Sequence, residues 1–434
     1  MGRQEQHPPH DRAATSLAPG VTAAIGGSLA EVDADLARRY PGDPTTRQPV
    51  HTVYVPAHRL APDTPRAWGA DALALLARHA PDATAFGGLL GLPEALADAV
   101  HGRVLDKLAR EPVEDLRIDF EDGYGHRPDA EEDAAATRAA RLVAQAVADG
   151  SAPPFVGIRM KCLEAAVRDR GIRTLDLFLT ALLAAGPLPA GLRVTLPKVG
   201  YAQQVAAMAA LCAEFERAAR LPSGRLTFEI QIETTQAIVG ADGRATVARM
   251  IDAADGRVTG LHYGTFDYSA ACQIPAAHQA PDHPAADHAK AVMQVAAAGT
   301  GVALSDGSTN VLPTGPTARV HRAWRLHHGL VRRALVRGYH QGWDMHPGQL
   351  PTRYAAVYAF YREGLPDAAS RLAAYAAGAT GGGVLDEPAT ARALGGFLLR
   401  GLDCGALDRD EVTRLTGLDP HRIAPLAGRA APGR

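Results

Sequence analysis

Apolar residues recur along the chain in short β-branched runs, each closed by a polar or glycine-containing turn. The runs are HTVYVP (51–56), LRIDFED (116–122), FVGIRMK (155–161), RVTLPK (193–198), TFEIQIET (227–234), GLHYGTFD (260–267), GVALSDG (301–307) and GYHQGWDMHP (338–347). In the second, Leu116, Ile118 and Phe120 alternate with Arg117, Asp119 and Glu121, a period of two that predicts a strand. Ala- and Leu-rich helical stretches lie between most runs. DAEEDAAATRAARLVAQAVADG carries acids in its first turn and stops at Gly150, as the helix dipole and C-cap preferences require. PTARVHRAWRLHHGLVRRALVRG starts at Pro316 and stops at Gly338.

Eight strands alternating with helices predict a parallel α/β fold, and eight is the number that closes a (β/α)8 TIM barrel. An open doubly wound sheet is the alternative, although no GxGxxG follows an early strand as its dinucleotide-binding form would require. About 60 residues separate the first two strands, roughly twice one βα unit. Residues 57–115 are therefore expected to hold an insertion of two or three helices. The expected boundaries are a mobile tail over 1–45, polar and proline-rich at its start, the barrel over 46–350, and a C-terminal helical segment over 351–434, broken by glycines at GATGGG.

Composition narrows the class without deciding it. The 434 residues are 47% hydrophobic and 21% charged, with a formal net charge of −2. That balance gives no pull toward nucleic acid or an anionic membrane. The four cysteines, Cys162, Cys212, Cys272 and Cys404, show no CxxC spacing, so neither a disulfide framework nor a zinc knuckle is indicated, and a reducing cytoplasm suits them. The N-terminus lacks the apolar core of a signal peptide, and Gln6 breaks the myristoylation pattern. No apolar run approaches the roughly 18–20 residues that span a bilayer; LDLFLTALLAAGPLPAGL is interrupted by Asp176, Gly186 and two prolines.

The charged residues cluster where the strands stop. Strand two ends in Asp119, Glu121 and Asp122, strand three in Arg159 and Lys161, strand four in Lys198, and strand five in Glu233. Strands six, seven and eight end in Asp267, Asp306, and Asp344 with His346. In a barrel these ends form the active face. Burying several carboxylates together costs several kcal/mol each unless a cation compensates. Arg159 supplies one positive charge, and a divalent cation would supply more. Oxygen ligands without Cys favour Mg²⁺ or Mn²⁺ over zinc. Two plainer readings stand beside this one: the acids cap helices or pair with arginines, or strand two lies at the surface with a solvated acidic face.

In order along residues 50–400, these motifs resemble the HpcH/HpaI aldolase and citrate lyase β-subunit family of the phosphoenolpyruvate/pyruvate barrel superfamily. IDFEDGYG is similar to the family's aspartate-x-glutamate-aspartate turn, GIRMK to its arginine-bearing third strand, and VTLPKV to its proline-lysine strand. EIQIETTQAI resembles the isoleucine-glutamate-threonine motif, GTFDYSAA the glycine-x-x-aspartate motif, and GWDMHPGQ the histidine-proline-x-glutamine ending. GATGGGVLDEPATARAL resembles the segment that members lend to a neighbouring subunit. The aspartate-phenylalanine-glutamate-aspartate of strand two also resembles malate synthase.

The resemblance implies a carbon–carbon lyase or aldolase acting on a small 2-oxo or 2-hydroxy carboxylate through an enolate. Glu233 and Asp267 would bind Mg²⁺, with Mn²⁺ an alternative. Arg159 would hold the substrate carboxylate or enolate oxygen, and Lys198, Thr265, Phe266 and His346 would help bind substrate. Glu121 and Asp122 would orient metal-bound water and Arg159. Asp386 would act as a general acid or base from an adjacent subunit of a homo-oligomer, a trimer or hexamer. Asp386 also reads as a helix N-cap before Glu387 and Pro388.

Two departures from the family matter. Strand one begins at His51 rather than at substrate-binding basic residues, so His58 or Arg59 would take over part of that role. The 57–115 insertion puts acyl-CoA binding in question. His278, His283 and His288 read as a flexible loop or lid before a metal site, and His327 and His328 as surface or packing residues on a helix. Two rival functions remain: malate-synthase-like condensation, cleavage or hydrolysis of a CoA thioester, and a non-catalytic keto-acid sensor. No P-loop or kinase motif supports phosphoryl transfer.

Overall fold

Each predicted run forms a strand, and all of them pair in parallel. They are β1 (His51–Pro56), β2 (Asp115–Asp119), β3 (Phe155–Arg159), β4 (Leu192–Leu196), β5 (Phe228–Ile232), β6 (Val258–Tyr263), β7 (Ala303–Ser305) and β8 (Gly342–Asp344). The computed structural model describes residues 16–18, 20–43, 46–378 and 387–429. Neighbours follow the order β7-β6-β5-β4-β3-β2-β1-β8. A parallel bridge between Ser305 and Gln341 joins the two ends of that list, and the Asp306 N–H donates to the Gln341 carbonyl at 2.8 Å. The sheet thereby closes into a (β/α)8 barrel.

The strands are shorter than the runs that announce them. Their polar ends leave the ladder and become the turns that carry the charged side chains. The alternation in β2 has no wet face. Arg117 and Asp119 are as buried as Leu116 and Ile118. Arg117 reaches across the ring to Glu229 of β5 at 2.6 Å, so the polar face of the strand points into the barrel and the apolar face into the surrounding helices. This overturns the reading of strand two as a surface strand. The same parity puts Thr52, Tyr54, Arg159, Thr195, Gln231 and His262 on buried positions around the ring.

The chain divides into two compact units, one ending at Pro41 and the other starting at Gly42. The first contains helix α1 (Val21–Arg39), inside the stretch expected to be a mobile tail. Ile25, Leu29, Val32 and Leu36 recur there at helical spacing, and Arg39 pairs with Asp35 at 2.7 Å one turn away.

In the second unit the insertion after β1 is three helices, α2 (Thr64–His79), α3 (Ala83–Leu90) and α4 (Glu94–Arg110). Around the barrel follow α5 (Asp129–Ala148), α6 (Arg168–Ala185), α7 (Ala202–Ala219), α8 (Thr235–Ile238), α9 (Thr246–Ala253), α10 (Thr265–Ala271), α11 (Pro284–Ala297) and α12 (Thr317–Val336). The helices α13 (Leu350–Ala376), α14 (Pro388–Asp403), α15 (Arg409–Thr416) and α16 (Pro420–Leu426) complete the described chain. The two helices with readable ends stop as expected, with Gly150 and Gly338 both at positive φ. Among the described residues no helix is long and apolar enough to cross a membrane.

Two acids at strand ends serve the barrel wall rather than its mouth. Asp306 is buried against Lys290 at 2.9 Å, and that ammonium also donates to the Pro281 carbonyl at 2.7 Å. Asp344 is fully buried and takes bonds from His51 (2.9 Å), His327 (3.0 Å) and Arg353 (2.8 Å). His327 and His328 are both buried, which rules out a surface role. Burial holds the imidazole of His327 below its ordinary pKa, so as a neutral ring it donates its Nε2–H to Asp344.

Candidate active site

At the C-terminal mouth of the barrel the register sets Asp119 at the end of β2 beside Arg159 at the end of β3. Their side chains meet as a two-pronged pair. Arg159 Nε donates to Asp119 Oδ1 at 2.7 Å and Nη2 to Oδ2 at 2.8 Å. Nη1 donates to Gln231 at 3.3 Å. The guanidinium lies against Tyr54 and Trp343, 4.8 Å and 5.5 Å from their ring centroids. Three of the five guanidinium N–H groups are thus engaged, and two remain for a ligand. Asp119 also accepts the Glu121 N–H at 2.9 Å and the Gly123 N–H at 2.8 Å, so one carboxylate fixes both the arginine and the turn after β2.

Glu233, one residue beyond β5, is buried and accepts the Lys198 N–H at 2.7 Å. Among the described residues no side-chain cation lies within ion-pairing distance of it. It fits because position 264 is glycine: a Cβ there would come within 2.5 Å of the Glu233 Cβ and 2.6 Å of Oε2. Asp267, in the first turn of α10, faces the same space. Together Tyr54, Arg59, Asp119, Asp122, Arg159, Glu233, Thr265, Phe266, Asp267, Trp343 and Met345 line a cleft of about 470 Å³. The Thr265 hydroxyl is buried without a hydrogen-bond partner.

Lys198 lies beside this cleft and reaches two of its lining acids, Asp122 and Asp267, and the adjacent Glu121. Its ammonium lies 3.0 Å from Glu121, 2.9 Å from Asp122 and 3.7 Å from Asp267. Glu121 is 3.6 Å from Arg159 Nη1. The carboxylate that grips the arginine is therefore Asp119, while Glu121 and Asp122 sit mainly on Lys198.

Other expected site residues go elsewhere. His346 caps the short turn Pro347–Gln349, its Nδ1 accepting the Gly348 N–H at 3.0 Å, and it is absent from the cleft lining. Asp386 lies outside the described residues. Lys161 turns away from the barrel and holds Glu132 at 2.9 Å and the Phe120 carbonyl at 2.6 Å. His58 packs beside Tyr124 with ring centroids 5.7 Å apart, whereas Arg59 reaches the cleft. His283 caps α11 by accepting the Ala285 N–H. Among the described residues no group of three or more His, Cys, Asp or Glu side chains is arranged to hold a metal ion; Glu233 and Asp267 supply two carboxylates.

A family model described as "Domain of unknown function (DUF6986)" matches residues 29–430. The chain belongs to the DUF6986 family. Among curated proteins none matches it. Among solved structures, a citrate lyase from Burkholderia xenovorans LB400 is 21% identical over 86% of this chain and 97% of that one, with a TM-score of 0.56. A malate synthase of Haloferax volcanii in a magnesium/glyoxylate complex is 15% identical over 71% and 75%, with a TM-score of 0.47. A citrate lyase beta subunit from M. tuberculosis, complexed with oxaloacetate and magnesium, is 19% identical over 72% and 97%, with a TM-score of 0.40. The first likeness supports the barrel fold of this DUF6986 chain; the other two are too distant to carry an argument.

Electrostatics in the DUF6986 cleft lead to a pH prediction. Burial, aided by the Asp267 carboxylate and opposed by Arg159, pushes the Glu233 carboxyl from 4.5 up to about 8. Between those values the folded chain keeps a proton that the unfolded chain has lost, so stability falls as pH rises through the window. Protein kept in chelator is therefore expected to melt at progressively lower temperature from about pH 5 to pH 8, and Glu233→Gln to flatten that slope. Thermal melts over a pH series check this. A slope unchanged by the substitution would assign the titration to another group.

Four lining residues, Tyr54, Asp119, Trp343 and Met345, carry no site role in the sequence reading. Asp119 was legible as a strand-end acid, but only the β2–β3 register assigns it to Arg159. Tyr54 and Trp343 carried no signal beyond strand-like runs, because their role depends on closure between β1 and β8.

Proposed function

We propose that this chain is a divalent-cation-dependent carbon–carbon lyase or condensing enzyme. Its substrate would be a small 2-oxo or 2-hydroxy carboxylate that passes through an enolate. The observation that carries the reading is the pairing, in one cleft, of a pre-oriented guanidinium with two free N–H groups and two carboxylates, Glu233, which has no side-chain cation within ion-pairing distance among the described residues, and Asp267, whose one such partner there is the Lys198 ammonium at 3.7 Å. Glu233 and Asp267 are hard oxygen donors on one wall, the donor type that Mg²⁺ or Mn²⁺ takes with water and substrate oxygens completing the set. Gly264 leaves room for the Glu233 carboxylate there. When bound, the cation supplies Lewis-acid charge that polarises a 2-oxo group.

The chain's own residues do the rest. Asp119 and Gln231 lock the plane of Arg159, so its two free N–H groups point at a developing oxyanion without reorganising. Desolvation by Tyr54 and Trp343 strengthens that interaction. Thr265, Phe266 and Met345 line the cleft, and the last two give it apolar walls that restrict water. Arg59 supplies a second cation for a substrate carboxylate. In this reading Asp386 of a neighbouring copy delivers or accepts the proton at carbon.

Proton NMR of pyruvate in D₂O tests the reading. With Mg²⁺ and wild-type protein the methyl signal is expected to decay as protons exchange, and with Glu233→Gln it is expected to persist. Absence of exchange by the wild type, together with absence of Mg²⁺-dependent pyruvate binding, would sink the proposal. Binding of CoA thioesters in the same assay would point to an acyl-CoA substrate.

A further inference from the structure

Lys198 touches all four carboxylates on the acidic side of the cleft. Its backbone N–H donates to Glu233 at 2.7 Å. Its ammonium contacts Glu121, Asp122 and Asp267. One residue can do both because its backbone is left-handed, with φ +52°. That conformation is uncommon and costly for a residue with a Cβ. It turns the N–H toward β5 while the side chain runs back to the turn after β2. Burial works against the lysine charge, but hydrogen bonds to Asp122 and Glu121 more than offset it and hold the group protonated. Three carboxylates therefore already have a cation, and it is part of the chain.

We propose that Lys198 is the resident cation of this site, and that a divalent metal ion binds by exchanging with its ammonium. The inference rests on the assignment of Glu233 and Asp267 as the metal carboxylates. Asp267 is the contested group: an ammonium 3.7 Å from its Oδ2 and a divalent ion bound to the same carboxylate repel each other. The lysine leaves, and its backbone N–H continues to hold Glu233. Exchange makes the metal affinity lower than the carboxylates alone would give, and keeps the acidic wall from repelling itself before metal arrives.

Two measurements on full-length protein test this. The first is reductive methylation of the wild type, read at Lys198 by mass spectrometry with and without Mg²⁺. Exchange predicts slow labelling in chelator and labelling several-fold faster with saturating Mg²⁺. The second is Mg²⁺ titration by calorimetry and thermal shift, comparing wild type with Lys198→Met. The variant is expected to bind Mg²⁺ roughly fivefold tighter, in line with loss of a partly exposed ion-pair competitor, and to melt lower than wild type in chelator. Mg²⁺ binding with Lys198 labelling unchanged or slowed would overturn the exchange and leave the metal site standing. Absence of Mg²⁺ binding by either protein would remove the metal reading itself, and the exchange with it. The labelling result does not depend on the variant folding.

Discussion

Arg159→Lys is expected to slow pyruvate methyl exchange by about a hundred- to a thousandfold, the usual cost of losing an aligned oxyanion donor. The substitution keeps the positive charge beside Asp119, so the fold should survive with a modest loss of melting temperature. It removes the geometry instead. An ammonium cannot hold both Asp119 oxygens and Gln231 in one plane and still present two donors to a ligand. Asp119→Asn tests the same point from the other side, since the arginine remains but loses its two-pronged anchor. It is expected to lower the maximal rate more than apparent substrate affinity. Exchange within threefold of wild type in Arg159→Lys would remove Arg159 from the chemistry and leave it as a structural ion pair with Asp119.

The largest stability effect is expected at Asp344. Replacing it with alanine strips His51, His327 and Arg353 of their common acceptor in a fully buried place. Arg353 is then a buried charge without its partner, which costs about 3–5 kcal/mol. Denaturation with guanidinium would read this as a lower midpoint with little change in slope. Exchange activity measured well below the melting temperature should stay within a few-fold of wild type, because Asp344 bonds to residues of β1, α12 and α13 and not to the cleft. Normal stability with lost exchange would reverse the assignment and return Asp344 to the active face.

These two substitutions mark where sequence and structure part. Both aspartates end strands, and both read from the sequence as part of one acidic rim. The rim splits because successive side chains on a strand point to opposite faces. Asp119 points into the ring. Asp344 follows Trp343, and it is Trp343 that takes the inward position in the cleft. Parity also fails two residues beyond a strand. Lys161 shares its spacing with Arg159, yet β3 ends at Arg159 and the chain is free to turn Lys161 toward Glu132.

Alternation of apolar and polar residues determined the eight strands, the insertion and the barrel, since those depend on local periodicity and on how many such units close a ring. The sequence alone also put Arg159 and Glu233 at or next to strand ends on the face where barrels carry their sites, whereas Asp267, expected to end strand six, lies in the first turn of α10. Helix α1 is encoded in the spacing of Ile25, Leu29, Val32 and Leu36, a local signal that the polar, proline-rich beginning of the segment obscures. What tertiary structure decided was partnership. Asp119 meets Arg159 across 40 positions, Arg117 meets Glu229 across 112, and His51 meets Asp344 across 293. No local pattern encodes such distances. The role of a buried charge is set by which opposite charge the closed barrel brings to it, and by whether both lie inside the ring or behind its wall.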